Sequence, residues 1–240
     1  MKGTYIMANK RIGIIGAMAA EVEGLHERMT VAREVKKAGM TFFEGTLGAT
    51  EIVLVQSGIG KVNAAACAQI LADCFEVTHI LNTGIAGSLD DAIDIGDIVV
   101  STDALQHDMD ATPFGYEAGQ VPGLSVMAFP ADEAFRAMAV EAVRTAASDV
   151  KVFEGRVVSG DQFISSQEKK DAIKAAFGGL CTEMEGAAIA QTAWLNHIPF
   201  VILRSISDKA NDDAGRAYSE IEAEAAAHCS AVTASIIEHF

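Results

Sequence analysis

Two hydrophobic rhythms alternate along this chain from near its start to its end. Short runs rich in Ile, Val, Leu and Thr, several apolar throughout, fall at residues 11–17, 41–46, 51–56, 79–83, 97–104, 151–158 and 200–206. Between them lie Ala-rich stretches whose apolar side chains recur every three to four positions, at 19–29, Lys61–Phe75, 132–147, 166–177, 185–196 and 219–239. The first kind predicts strands and the second predicts helices with one buried stripe. Strands apolar on both sides need cover on both faces, so the pattern predicts an α/β fold, a three-layer sandwich around a central mixed, mostly parallel β-sheet. No Pro/Ser-rich linker, internal repeat or low-complexity segment interrupts it, and residues 1–240 are expected to form a single domain. Residues 1–7 precede the first strand pattern and are expected to be a disordered extension. One connection, 106–130, is long and rich in Gly, Pro and aromatic residues, and reads as an ordered loop of functional use.

Composition narrows the function classes. Half of the 240 residues are apolar, which allows a sizeable core. The 33 Asp+Glu outnumber the 18 Lys+Arg, giving a formal charge of −15. Affinity for nucleic acid comes from cations that neutralise phosphates, so this balance argues against such a partner and is compatible with a small neutral or zwitterionic one. Cys67, Cys74, Cys181 and Cys229 show neither C-x-x-C spacing nor a nearby histidine pair, which predicts buried reduced thiols rather than zinc or disulfides. No apolar run approaches a membrane span, and residues 1–10 lack the apolar stretch of a signal peptide, so a cytoplasmic location is expected.

Two glycine-rich segments resemble nucleotide motifs and fail on spacing. In Ser57-Gly58-Ile59-Gly60-Lys61-Val62 a P-loop needs Gly at 55 and Ser or Thr at 62, where Val55 and Val62 stand. Around Gly13 and Gly16 a dinucleotide fingerprint needs Gly at 11, which is Arg11. What survives is a glycine turn opening onto a helix N-terminus, either simple turn chemistry or a close backbone approach to a ligand. His107-Asp108-Met109-Asp110 offers a single His and too few fixed ligands for a metal site, and no nucleophile elbow is present, so no metal, cofactor or covalent nucleophile is expected.

Carboxylates carry more. Glu185, in Thr182-Glu183-Met184-Glu185-Gly186, falls where a short strand gives way to a helix. There free N–H groups favour the ionised form, which serves either the helix dipole or a sugar's hydroxyls. Leu203-Arg204-Ser205-Ile206-Ser207-Asp208 ends an apolar strand with a cation, hydroxyls and an acid, at the carboxyl end where α/β sheets bind ligands. Glu21, taken alone, reads as a solvated helix residue.

Taken in order, these segments resemble the 5′-methylthioadenosine/S-adenosylhomocysteine nucleosidase family. The resemblance rests on Ile12-Gly13-Ile14-Ile15-Gly16-Ala17-Met18 with Glu21-Val22, Ser57 to Val62, Asn82-Thr83-Gly84 with Ala86-Gly87, and Phe114-Gly115-Tyr116-Glu117 with Gly119-Gln120. It continues through Val158-Ser159-Gly160-Asp161 with Phe163-Ile164, Glu183-Met184-Glu185, and Arg204 with Ile206-Ser207-Asp208. It implies a nucleoside phosphorylase-like single domain, a homodimer, and hydrolysis of the N-glycosidic bond of 5′-methylthioadenosine and S-adenosylhomocysteine in methionine salvage and methyl-cycle clearance. It further implies Glu21 as the base that activates water and Asp208, beside Ser207, as the acid that protonates purine N7. Glu185 and Met184 would contact the ribose, Arg204 would hold the water and Glu185, Phe163 would stack on adenine, and Ile164 would bond the base through its backbone. Met18 would pack near the sugar, and Phe114, Tyr116 and Pro122 of a second subunit would line the alkylthio end. Two positions depart from the pattern: Ile85 stands where many members carry a small hydroxyl residue, and Tyr218 where a phenylalanine is familiar.

In such a reaction adenine leaves with N7 protonated, the ribosyl group becomes oxocarbenium-like, and water attacks from the opposite face. By analogy with inverting glycosidases, acid and base are expected roughly 6.5–9.5 Å apart. The competing readings are aminofutalosine hydrolysis, a purine nucleoside phosphorylase of the same architecture, which needs arginines converging on phosphate, and a silent nucleoside-binding module, which has no need of a base.

Overall fold

The computed structural model describes residues 10–147, 150–211 and 213–240, the side chains of 216–220 excepted. The extension expected at 1–7 lies outside the described residues. Strand β1 (Arg11–Gly16) leads into helix α1 (Ala19–Arg28), and β2 (Thr30–Lys37), β3 (Met40–Leu47) and β4 (Thr50–Gln56) follow as antiparallel neighbours. Next come α2 (Lys61–Phe75), β5 (His79–Ser88), β6 (Ile98–Gln106) and, after the long loop with its 3-10 turn at Thr112–Phe114, the short β7 (Phe129–Pro130). The chain ends with α3 (Glu133–Ala146), β8 (Val152–Ser159), α4 (Gln167–Phe177), β9 (Cys181–Glu183), α5 (Gly186–Leu195), β10 (Phe200–Asp208) and α6 (Ala214–Glu238).

Local chemistry accounts for several boundaries. Asp132 caps α3 by accepting the Phe135 N–H at 2.8 Å, and Gly178, at φ +66°, ends α4. The strand that the hydrophobic pattern misses is β2, whose side chains are solvent-exposed at every position but Val35. It forms because it pairs with β3 around a two-residue turn, Ala38-Gly39, with φ of +49° and +78°. Positive φ at both positions suits the right-handed twist of a hairpin, but Ala38 stands where Asn or Asp would have signalled the turn. Helix α6 begins five residues before its expected start at 219, since its first turns lack a clear apolar stripe.

The sheet runs β10-β6-β8-β9-β5-β1-β4-β3-β2, and β10 also pairs with β5. One half therefore closes on itself through β5, β10, β6, β8 and β9, while β1, β4, β3 and β2 form an open wing. Among the described residues five pairings are parallel and five antiparallel. The sheet is mixed as expected, but parallel pairing predominates only around β1, β5 and β8, because the hairpins of the wing and the closure add antiparallel edges that apolar runs do not reveal.

Alternate residues of each strand serve two helical layers. Ile15, Val53 and Ile80 pack beneath α2 and α5 with Cys67, Leu71 and Ile189. Ile12, Ile14 and Leu81 pack beneath α1, α3 and α6 with Leu25, Phe135 and Val232. Three of the four cysteines are buried, but Cys74 is exposed on the outer face of α2, so burial holds for all except that thiol. Among the described residues no helix is long and apolar enough to cross a membrane.

Leu71 is fully buried against Gly13, where a Cβ would come within 2.9 Å of its Cδ1. Leu71→Ala is expected to lower the free energy of unfolding by about 2–5 kcal/mol, measured by urea denaturation. Lys36→Ala, on exposed β2, should stay within about 0.5 kcal/mol of wild type.

Candidate active site

The carboxyl ends of β1, β5, β9 and β10 converge, and with them the side chains singled out in sequence. Glu21, in the first turn of α1, is 4 % exposed. Its Oε2 accepts the N–H groups of Ala17 (2.6 Å) and Met18 (3.0 Å), and its Oε1 accepts that of Ile85 (3.1 Å). A single carboxylate thus ties the β1–α1 turn to β5. A Cβ on Gly84 would sit 2.9 Å from the Glu21 Cδ, so the main chain of β5 approaches this carboxyl closely only because a glycine stands there. Burial raises the Glu21 pKa, against the pull of Arg204 and the three N–H donors.

Asp208 ends β10 and is 2 % exposed. Its Oδ1 accepts the Ala210 N–H at 2.7 Å, and its Oδ2 accepts the Ser207 hydroxyl at 2.9 Å. Ala210 is held at φ +52°, a left-handed turn that brings its amide back onto Asp208. A Cβ on Gly87 would come within 2.8 Å of Oδ1. Burial again lifts the carboxyl above its ordinary range, though Ala210 and Ser207 favour its ionised form.

A second cluster lies beneath. Arg204, 2 % exposed, donates from Nη2 to Glu183 Oε2 and to Asn82 Oδ1, each at 2.5 Å, and from Nη1 to the Leu203 carbonyl at 3.0 Å. Glu183 also accepts the Ser159 hydroxyl and the N–H groups of Glu185 (3.1 Å) and Gly186 (2.8 Å). Burial works against the charge on Arg204, but Glu183, Glu21 and Glu185 more than offset it and raise its pKa.

Two expectations are corrected here. Glu183, not Glu185, takes the free amides at the start of α5, because the chain leaves the extended strand at Glu185, the N-cap residue of α5 at φ −134° and ψ −40°, so the two side chains do not share the common face that a two-residue spacing on a strand would give them. Glu185 instead accepts the Gly60 N–H at 2.7 Å, and its pKa is raised to about 8 by burial and by the charge of Glu183, so its surroundings favour the neutral form. Arg204 likewise holds Glu183 rather than Glu185. Glu183, Asn82 and Ser159 were not read as functional from sequence. The E-x-E spacing at the strand end, facing a strand-borne arginine, was the available signal.

These groups surround one cavity of about 480 Å³, within the range of small-ligand sites. Glu21, Asp208, Glu185, Met18, Met184, Ile85, Ser207 and Phe163 line it, together with Ile59, Thr182 and Glu183. Ile164 lines a small adjoining recess shared with Phe163, Met184 and Asp208. Phe163 is 47 % exposed, an aromatic face left at the mouth. Phe114 is 84 % exposed, and neither it nor Tyr116 nor Pro122 lines this chain's cavity. The side chain of Tyr218 lies outside the described residues. Among those described, no group of three or more His, Cys, Asp and Glu is arranged to hold a metal; Asp108 pairs with Lys61 instead.

Residues 11–240 match the family model described as the phosphorylase superfamily. A 5′-methylthioadenosine/S-adenosylhomocysteine nucleosidase of Staphylococcus haemolyticus is 40 % identical, over 95 % of this chain and 99 % of its own. The crystal structure of such a nucleosidase from Neisseria meningitidis, in complex with methylthio-immucillin-A, superposes with a TM-score of 0.93 at 38 % identity, covering 96 % of this chain and 100 % of that one. A futalosine hydrolase of Helicobacter pylori is also similar, with a TM-score of 0.91 at 30 % identity, covering 97 % of this chain and 99 % of that one. The chain belongs to the phosphorylase superfamily and, within it, to the 5′-methylthioadenosine/S-adenosylhomocysteine nucleosidase family.

Removing one member of the buried pair strands the other. Arg204→Met is expected to cost about 3–5 kcal/mol of stability in urea unfolding, and Arg204→Met with Glu183→Gln to cost less than the sum of the two singles. The raised pKa of Glu185 also has a sign. Between its ordinary 4.5 and about 8 the folded chain holds a proton that the unfolded chain has released, so this group destabilises the fold as pH rises through that window. Urea unfolding from pH 5 to 9 should show Glu185→Gln losing less stability than wild type, by on the order of 1–3 kcal/mol at the upper end.

Proposed function

We propose that this chain hydrolyses the N-glycosidic bond of 5′-methylthioadenosine and S-adenosylhomocysteine, releasing adenine and the 5-thioribose product. The observation that carries the reading is the convergence of Glu21, Glu185 and Asp208, far apart in sequence, on one largely apolar cavity. Asp208, its pKa raised by burial, is the acid that gives its proton to purine N7 as the bond to C1′ breaks. Ionised Glu21 takes a proton from water, whose oxygen forms the new bond to C1′, and its charge complements the oxocarbenium-like sugar. Glu185 accepts from the ribose hydroxyls, Met184 and Met18 pack on the sugar, and Phe163 stacks on the base while Ile164 meets its edge. Arg204 acts from below, holding Glu183 and so the backbone of Glu185.

A phosphorylase needs cations facing the nucleophile. Here Arg204 is engaged by Glu183 and Asn82 and does not line the cavity, while Glu21 does, which favours water over phosphate. The exposed Phe114 of the long loop supports a homodimer in which Phe114, Tyr116 and Pro122 reach a second subunit's alkylthio site, in a cytoplasmic enzyme. Similarity to the Helicobacter pylori futalosine hydrolase makes aminofutalosine the second substrate to assay.

Adenine release from a panel of methylthioadenosine, S-adenosylhomocysteine, deoxyadenosine and aminofutalosine, with and without phosphate, tests the proposal; a strict phosphate requirement would overturn it. Asp208→Asn and Glu21→Gln are each expected to lose at least about 10²–10⁴-fold in kcat/KM with the fold intact by circular dichroism. Near-normal turnover in either variant removes that residue from its role.

A further inference from the structure

Two motifs remain outside this chemistry: the glycine turn Gly58-Ile59-Gly60-Lys61 and the His107-Asp108-Met109-Asp110 run. The structure joins them. The Lys61 ammonium donates to Asp108 Oδ1 at 2.6 Å and to Gln106 Oε1 at 2.9 Å, with only 18 % and 15 % of the Lys61 and Asp108 side chains exposed. The other oxygen of Asp108 accepts the Asp161 N–H at 2.9 Å. The carboxylate of Asp161 accepts the Lys61 N–H at 2.8 Å, which returns the path to its start. Gln106, the last residue of β6, is held in turn by Gln191 of α5 at 2.6 Å.

This ring of Lys61, Asp108 and Asp161 stands one residue from Gly60, whose N–H reaches Glu185, and two from Phe163. Helix α2 has no side-chain cap of its own and no acid in its first turn. Its first free amides go instead to Glu185 and Asp161, carboxylates from two distant segments. Gly60 itself, at φ +98°, has the backbone freedom this approach needs, and a Cβ there would press on Asp161 at 3.2 Å. The ammonium is also the cation that balances Asp108 beside Asp161. Without it Asp108 keeps the Asp161 N–H but loses its cation, and the glycine turn is tied to the 160–163 loop through the main-chain N–H of Lys61 alone.

We propose that Lys61 is a positioning residue for the substrate site: its closed ring with Asp108 and Asp161 fixes the Gly60 amide on Glu185 and the Phe163 loop over the base. The proposal rests on the reading of Glu185 and Phe163 as ribose and base contacts. It acts on binding geometry, so it moves KM more than kcat, and a guanidinium of similar reach can replace the ammonium.

The test has two independent readouts on the full chain. Amide hydrogen exchange followed by mass spectrometry, without substrate, should show residues 58–62 and 160–164 exchanging about tenfold faster or more in Lys61→Met than in wild type, the loss of one charge-assisted hydrogen bond. In the methylthioadenosine assay, KM of Lys61→Met should rise about tenfold or more while kcat falls less than about threefold, and Lys61→Arg should recover most of the loss. Asp108→Asn should reproduce both effects, and the double variant Lys61→Met with Asp108→Asn should be no worse than either single. Should Lys61→Met fail to fold, Asp108→Asn carries the same readouts. Unchanged exchange in both segments overturns the ring as a positioning device, and accelerated exchange with unchanged KM overturns its link to substrate. A wild-type chain that releases no adenine overturns the proposed function instead, and the exchange data still decide whether the ring holds these loops.

Discussion

The structure depends on one buried cation. Arg204 lies inside the closed half of the sheet, where an unpaired charge is very costly, and it is held by Glu183, Asn82 and a main-chain carbonyl. Glu183 comes from β9 and Asn82 from β5, two strands that pair with each other, and β5 also pairs with β10. Glu183 in turn takes the first free amides of α5, which sets where that helix begins. The residue two positions on, Glu185, is thereby carried to the cavity wall. A charge that does not line the cavity therefore engages Glu183 and leaves Glu185 to the Gly60 amide, although both carboxyls stand on the cavity wall.

Burial does most of the chemical tuning. Glu21, Glu185 and Asp208 all have raised pKa values, and in each case desolvation is the leading cause. What separates them is the donors each meets. Glu21 receives three backbone N–H groups and feels Arg204; Glu185 receives one and faces the charge of Glu183; Asp208 receives an amide and a hydroxyl and feels the more distant Lys170. Like carboxyls in unlike settings can divide the work of acid, base and hydrogen-bond acceptor. Glycines at 84 and 87 keep the main chain of β5 close to two of them, so that one strand touches both Glu21 and Asp208.

Much of the fold was legible because burial imposes periodicity. The hydrophobic period marks the helix Lys61–Phe75 to the residue and the strand cores of β1, β4 and β10 to within a residue or two, since their side chains are buried on both faces. β2 was not legible, because an exposed strand carries no inward stripe and its register is set by a partner and a turn. Nor was the closure of β10 on β5, a pairing between distant segments that no local pattern encodes. At the site, Asp208 is marked by its place at the carboxyl end of an apolar strand, while its role and any interest in Glu21 come only through the ordered resemblance; taken alone, Glu21 reads as a solvated helix residue, yet it is buried.

The amino-acid sequence by itself determined the alternation of strand and helix, the anionic surface and the identity of the acidic and aromatic side chains available for chemistry. These follow from each residue's own hydrophobicity, charge and backbone preference, which need no partner to be expressed. Only the tertiary structure decided that Glu183 rather than Glu185 pairs with Arg204, that Glu185 sits where its neutral form is favoured, and that Lys61, Asp108 and Asp161 meet. Such assignments depend on which groups share a small dehydrated volume, and that is settled by how strands far apart in the chain pair and close.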